Sequence, residues 1–259
     1  MQKEGVRDMT VGSSAKHIFF FSIPLLVGNL LQQLYNMVDS WTVGNFTGDT
    51  ALAAVGIAFP VVFLFVSLFI GLSIGSTVVI AQFYGVGETE RVRAAVDTTY
   101  AAFLIIAVPV SLGAFLLTDP LLHLLQVAPA AFPEAKLYLQ LTCLGLVGSI
   151  GYNTNAGILQ GLGNSKTPLL FLAIATVINI VLDLLFVAVF HWGVAGVAFA
   201  TIIAEWFSWL FGIVYINRKY KDLHLRFRGL QLDRRPARGH SERPDRRRHH
   251  GPDGEGEHL

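Results

Sequence analysis

Residues 169–190 read LLFLAIATVINIVLDLLFVAVF. As a helix rising about 1.5 Å per residue, this run is long enough to cross a hydrocarbon layer of about 30 Å. It holds one charge, Asp183, and one amide, Asn179, four residues earlier. Four-residue spacing puts both on one helix face. A carboxylate in hydrocarbon costs roughly 3 kcal/mol or more, so that face must meet protein or water rather than lipid. The stretch therefore reads as a membrane helix with a functional interior face.

The rest of the chain repeats the pattern. It has 259 residues, 53% hydrophobic and 14% charged, with a mean hydropathy of +0.54. Soluble domains carry about a quarter charged residues. Cys143 is the only cysteine, which excludes an intrachain disulfide and CxxC metal motifs. The first apolar segment lacks a small-residue cleavage site and is read as a retained helix.

Six spans are predicted, at about 17–42, 52–82, 94–117, 135–160, 168–190 and 193–216. The fold class is thus an all-α membrane protein, a six-transmembrane-helix bundle. The second span is overlong and must tilt or project. Turn chemistry separates the spans: GNFTGDT, FYGVGETER, TDPLLHLLQVAPAAFPE, GLGNSKTP and HWG. Pro24, Pro60 and Pro109 fall inside the first three spans and predict kinks. Gly71 and Gly75, with Ser67, predict close helix packing.

Basic residues predict the orientation. Lys3, Arg7, Lys16, Arg91, Arg93, Lys166, Arg218, Lys219, Lys221, Arg226 and Arg228 lie on one side, and only Lys136 on the other. By the positive-inside bias, the N-terminal segment (1–16) and the linker after the sixth span (217–230) are cytoplasmic, flanking a lobe at 17–216. Trp41 and Trp192 then mark the outer interface, and Tyr84, Tyr215 and Tyr220 the inner one. His17, His123 and His191 read as interfacial.

Asp39, Asp183 and Glu205 lie within spans. Gln32, Tyr35 and Asp39 share one face of the first span, and Thr201 and Glu205 one face of the sixth. At about 1.5 Å per residue, Asp183, Thr201 and Asp39 lie at similar depths in the outer half of the membrane. One polar chamber accounts for the shared depth. Glu205, beside Trp206 and Trp209, also fits a hydrogen-bonded packing role, as Gln32 and Tyr35 do.

Several of these segments are similar to a known family. SIPLLVGNLLQQLYNMVDSWTVGNFTGDTALAAVG (22–56), ILQGLGNSKTPLL (158–170), NIVLDLLFV (179–187) and GVAGVAFATIIAE (193–205) occur in the order found in multidrug and toxic compound extrusion (MATE) transporters. The resemblance runs over about residues 10–230 and matches the N-terminal one of that family's two six-helix lobes. It implies exchange of cationic or amphipathic small molecules for Na⁺ or H⁺, with no other cofactor. It also implies a cation site at Asp39, Asn179, Asp183 and Thr201, a cavity wall at Gln32, Tyr35 and Asn153, and a bend at Pro24. Glu205 stands where the family pattern suggests a neutral residue and is placed with the cavity. Two carboxylates in one water-poor chamber repel, and either a proton or an oxygen-seeking Na⁺ relieves the repulsion. The residues leave both ions open.

No second copy of the PLLVGNLLQQ-type segment follows, nor any apolar span after residue 216. Residues 231–259 hold seven Arg and no Lys and almost nothing apolar, which predicts a disordered tail. Its abrupt change of residue usage suggests a frameshifted gene end, with a genuine half-length protein as the alternative. The functional readings are accordingly a cation-coupled antiporter lobe that needs a separate second lobe or a homodimer, or a truncated remnant that transports nothing. A lipid-precursor flippase is a weaker third reading, because the cation-site residues match the drug transporters. The partners implied are the bilayer and small molecules, not nucleic acid. No Ser/His/Asp, metal-ligand or phosphate-loop pattern suggests an enzyme.

Overall fold

The computed structural model describes residues 14–220, with side chains from residue 18 onward. The predicted N-terminal segment and basic linker thus fall mostly outside the described residues, and the tail at 231–259 entirely so. The described chain is helical: α1 (Ser14–Phe46), α2 (Asp49–Gly85), α3 (Thr89–Leu116), α4 (Thr118–Leu124), α5 (Phe132–Gly161), α6 (Lys166–Asp183) and α7 (Gly193–Lys219). A π-helical turn, Leu184–Val189, continues α6. Sequence alone suggested neither this turn nor the short α4, which sits in the long third connection.

Helix ends follow local chemistry. After α2 and after α5 the chain reverses through Gly87 (φ 75°) and Gly163 (φ 77°), conformations that penalise a Cβ. The next amides, Glu88 N and Asn164 N, donate back to Phe83 O at 3.0 Å and Leu159 O at 2.8 Å, closing the αL-type helix end. Pro24, Pro60 and Pro109 lie inside helices that continue through them.

The centre of the bundle is α5, packed against α2, α3 and α7. Glycines set its separation from α7. A Cβ on Gly148 would come within 2.6 Å of Trp206, and one on Gly151 within 2.5 Å of Trp209. On the α2 side, a Cβ on Gly161 would stand 2.9 Å from Ile80. Ser73 Oγ of α2 donates to Asn153 O of α5 at 2.8 Å, and Thr77 Oγ1 to Gly157 O at 3.0 Å. Small residues let helix backbones approach where water cannot drive association. The glycines expected to do this, Gly71 and Gly75, do not: both face open space among the described residues. They sit on the outer face of α2, away from α5.

Five segments are long and apolar enough to cross a membrane: Ile18–Phe46, Asp49–Gly85, Thr89–Leu116, Lys166–Val189 and Gly193–Lys219. The remaining predicted span, the fourth (135–160), lies within α5 and is long enough but less apolar. Its neighbours enclose it, so Thr154 and Asn155 are buried against protein instead of lipid. Outward faces are apolar and exposed, as at Leu30 and Met37 of α1, Leu64 and Leu68 of α2, and Val177 and Val181 of α6. The chain is a multi-pass membrane protein.

Candidate functional site

Three helices supply the site. Asp39 lies near the end of α1, Asn179 and Asp183 close α6, and Thr201 lies in the third turn of α7. All four are buried; Asp39 is 5% exposed and Asp183 0%. With its amide turned so that the nitrogen faces the acids, Asn179 donates to Asp183 Oδ2 at 3.2 Å and to Asp39 Oδ1 at 3.1 Å. Thr201 Oγ1 lies 3.5 Å from Asp39 Oδ2, in line to donate to it. The amide one turn before Asp183 thus stands between two carboxylates from different helices.

The arrangement is polar but incomplete. Asp183 Oδ1 is buried without a hydrogen-bond partner. The ion pairs among the described residues are Arg91 with Glu88 at 2.9 Å and Lys136 with Asp119 at 2.7 Å, both at helix ends. Neither touches the buried acids. Two carboxylates held together without a basic partner cost several kcal/mol unless a cation or a proton joins them.

Asp183 is the last α-helical residue before the π turn. Phe190 N donates to Leu185 O at 3.0 Å and Trp192 N to Phe186 O at 2.9 Å, a widened backbone. Phe186, Phe190 and Trp192 stack above it, with centroids 4.9 Å apart for Phe186 and Trp192. π turns concentrate at functional sites because they shift side-chain register.

The other predicted residues take graded positions. Tyr35, one turn before Asp39, is half-buried beside Thr201, and Gln32 is exposed. Asn153 is half-buried on α5, where its Nδ2 donates to Ser149 O at 2.9 Å. Glu205 is half-buried on α7, one turn below Thr201, with its carboxylate beside the Ser149 hydroxyl. Pro24 is buried within α1, about two turns before Gln32 and three before Tyr35. Sequence reasoning missed Ser149 and Tyr138, both buried on α5 and facing the acids. Neither carries a charge, so only proximity in the fold marks them. Among the described residues no group of His, Cys, Asp and Glu has the makings of a transition-metal site.

This geometry meets a family pattern. The MatE family profile matches residues 24–185, which includes Asp39, Asn179 and Asp183. The chain belongs to the MATE family. It is 34% identical over 213 residues to a probable multidrug resistance protein, YpnP of Bacillus subtilis, covering 81% of this chain and 47% of that protein. It is 29% identical over 223 residues to a probable multidrug resistance protein, NorM of Thermotoga maritima, covering 82% and 46%. The fold matches an outward-facing multidrug resistance MATE transporter of the MOP superfamily with a TM-score of 0.82 at 28% identity, over 90% of this chain and 52% of that one. A MOP superfamily transporter from Pyrococcus furiosus, described as having a binding pocket of reversed polarity, matches at 0.80 and 27%, over 90% and 52%. The chain spans about half the length of the curated relatives it matches.

Proposed function

We propose that this chain is the N-terminal lobe of a MATE-type antiporter in which Asp39, Asn179, Asp183 and Thr201 bind the coupling cation. The observation that supports it best is the Asn179 amide shared between two buried carboxylates, with no basic side chain paired to them among the described residues. A proton taken up between Asp39 and Asp183 relieves their repulsion. Na⁺ serves equally: half a turn of the Asn179 amide presents its Oδ1, and three oxygens then face the ion, the donor type a hard cation prefers. Either ion draws α1 against α6. Gln32, Tyr35, Asn153 and Glu205 form the wall that meets the exported molecule, and Pro24 lets the lower part of α1 bend as the site fills. An ion that binds one packing of α1 better than another shifts the lobe toward it, and that difference drives the cargo.

Transport requires a second lobe, because alternating access rocks one lobe against the other. The N-terminal segment and the linker after α7 lie on the cytoplasmic side of the inner membrane, as the basic residues direct.

The test is accumulation of ethidium in cells that lack their own pumps. The 259-residue chain alone is expected to insert without efflux, and joining a second lobe after about residue 230 to restore it. Robust efflux by the chain alone, with crosslinking showing only monomer, refutes the half-transporter reading. If no second lobe or copy yields efflux from an inserted chain, the reading as a non-transporting remnant replaces it.

A further inference from the structure

The two buried acids leave one oxygen unused, Asp183 Oδ1. Asp183 Oδ2 takes the Asn179 amide, and Asp39 takes that amide on one oxygen and the Thr201 hydroxyl on the other. A second unused polar atom lies on α1. Thr42 is 0% exposed, and its Oγ1 is buried without a hydrogen-bond partner among the described residues. A threonine hydroxyl inside a helix can bond the carbonyl four residues back. Thr77, Thr142, Thr154 and Thr176 do so, at 2.8 or 2.9 Å. Thr42 forgoes that bond to Val38 O.

Helix register places Thr42 beside the acids. At about 100° per residue, it lies about 60° around α1 from Asp39 and nearly one turn farther along. Gly28, about 20° from Asp39 on the same count, marks the side that meets α6. Leu169 and Leu172 stand 3.8 Å from where its Cβ would be. Gly44, about 160° from Thr42, marks the side that meets α2, with Leu52 at 3.3 Å from its Cβ position. Thr42 is therefore covered not by α2 but by α6, its π turn and α7, the other elements packed on α1. Gly28 meets the start of α6 and Asp39 its end, so the two helices run parallel. One turn beyond the Asp39–Asn179 contact, Thr42 on α1 is level with Asp183 on α6. Asp39, Asn179 and Thr201 are engaged with one another, which leaves Asp183 Oδ1 as the free acceptor at that level.

A buried hydroxyl and a buried carboxylate oxygen without partners both cost free energy. One cation offsets both. Na⁺ is a hard ion, and hydroxyl and carboxylate oxygens are the donors such ions prefer. A proton on Asp183 Oδ1 turns that atom into a donor, and the Thr42 oxygen can accept from it. We infer that Thr42 is a further ligand of the coupling cation, added from α1 to the site of Asp39, Asn179, Asp183 and Thr201. The ion then ties α1 to α6 at two successive turns, so its arrival fixes the rotation of α1 as well as its distance. The inference rests on the ion-site reading above.

The experiment uses the purified 259-residue chain in lipid nanodiscs, so it does not depend on transport. The ion response is read as the shift in thermal unfolding on exchanging choline for Na⁺ and as proton uptake on acidification, for wild type, Thr42→Val, Thr42→Ser and Asp183→Asn. Thr42→Val is expected to need about tenfold more Na⁺, or about one pH unit more acid, for half the response. Thr42→Ser keeps the oxygen and should stay within about threefold of wild type. In choline at high pH, Thr42→Val should unfold at or above the wild-type temperature, because it keeps the volume and removes an unpaired polar atom. Asp183→Asn should lose the response. A wild-type response in Thr42→Val overturns the ligand, while a lost response in Asp183→Asn still upholds the ion site. Equal weakening by Thr42→Val and Thr42→Ser, or a Thr42→Val chain that unfolds earlier in choline, assigns Thr42 to packing and also overturns the ligand. An intact response in Asp183→Asn, or a wild-type chain that answers to neither ion, overturns the ion-site reading and the ligand with it.

Discussion

The seam between α5 and α7 and the junction of α1 with α6 and α7 are built on opposite terms. The seam is closed by shape. Indole rings of Trp206 and Trp209 lie where any side chain on Gly148 or Gly151 would stand, and Asn155 Nδ2 donates to Trp209 O at 2.8 Å. The junction is closed by polar atoms, one amide between two acids and a hydroxyl at 3.5 Å, with an acid oxygen left over. Dispersion and exclusion hold the first whatever ion is present. Under the proposed function the second is satisfied when a cation or proton arrives, and a rigid frame beside such a contact lets one helix change position while the rest stays.

The sharpest way to break this contrast is to remove charge at the junction. Asp183→Asn keeps size and removes the charge on which the proposed cation site depends. In an assembly containing a second lobe, gradient-driven efflux should fall to background while insertion and thermal stability persist. Undiminished efflux would place the coupling elsewhere.

The converse substitution attacks the frame. Gly151→Leu drives a side chain into the Trp209 ring, and overpacking of this kind costs about 1–3 kcal/mol. The detergent-solubilised chain should unfold several degrees lower, about 2–4 °C per kcal/mol for a chain of this size. If Gly151→Leu leaves stability unchanged and alters only the ion response, the frame and the junction are not distinct.

A milder probe of the seam is Asn155→Ala. Asn155 is 1% exposed and its amide ties α5 to the α7 backbone. Losing that bond should cost about 1–2 kcal/mol in thermal unfolding. The smallest effect belongs to the surface: Lys136 pairs with Asp119 at 2.7 Å with side chains 37% and 48% exposed, so Lys136→Met should change stability by less than about 1 kcal/mol. A larger loss would show that α4 and its connection contribute to the frame.

The site was partly legible before the fold was known. Asn179 and Asp183 are one turn apart on an apolar run, and that spacing alone puts them on a buried face. Asp39 and Thr201 are harder, because each sits on a different helix and nothing local brings them to Asp183. Depth counting suggested a common level, and packing of α1 against α6 and α7 supplies the contact. Ser149 and Tyr138 were not legible at all, since a neutral hydroxyl in a helix has many bland uses. The small-residue spacing misled at Gly71 and Gly75, where the same pattern faces outward.

The sequence by itself determined that the chain crosses a membrane repeatedly, where it turns, and that a few acids must face inward. Those follow from the cost of polar groups in hydrocarbon, which acts on each segment separately. Only the tertiary structure decided that the least apolar long helix, α5, is the central one, that its glycines rather than those of α2 make the close contacts, and that α6 widens into a π turn directly after Asp183. Inside the bilayer the hydrophobic effect no longer distinguishes a neighbouring helix from lipid. Which helices meet is settled by shape and hydrogen bonding between segments far apart in the chain.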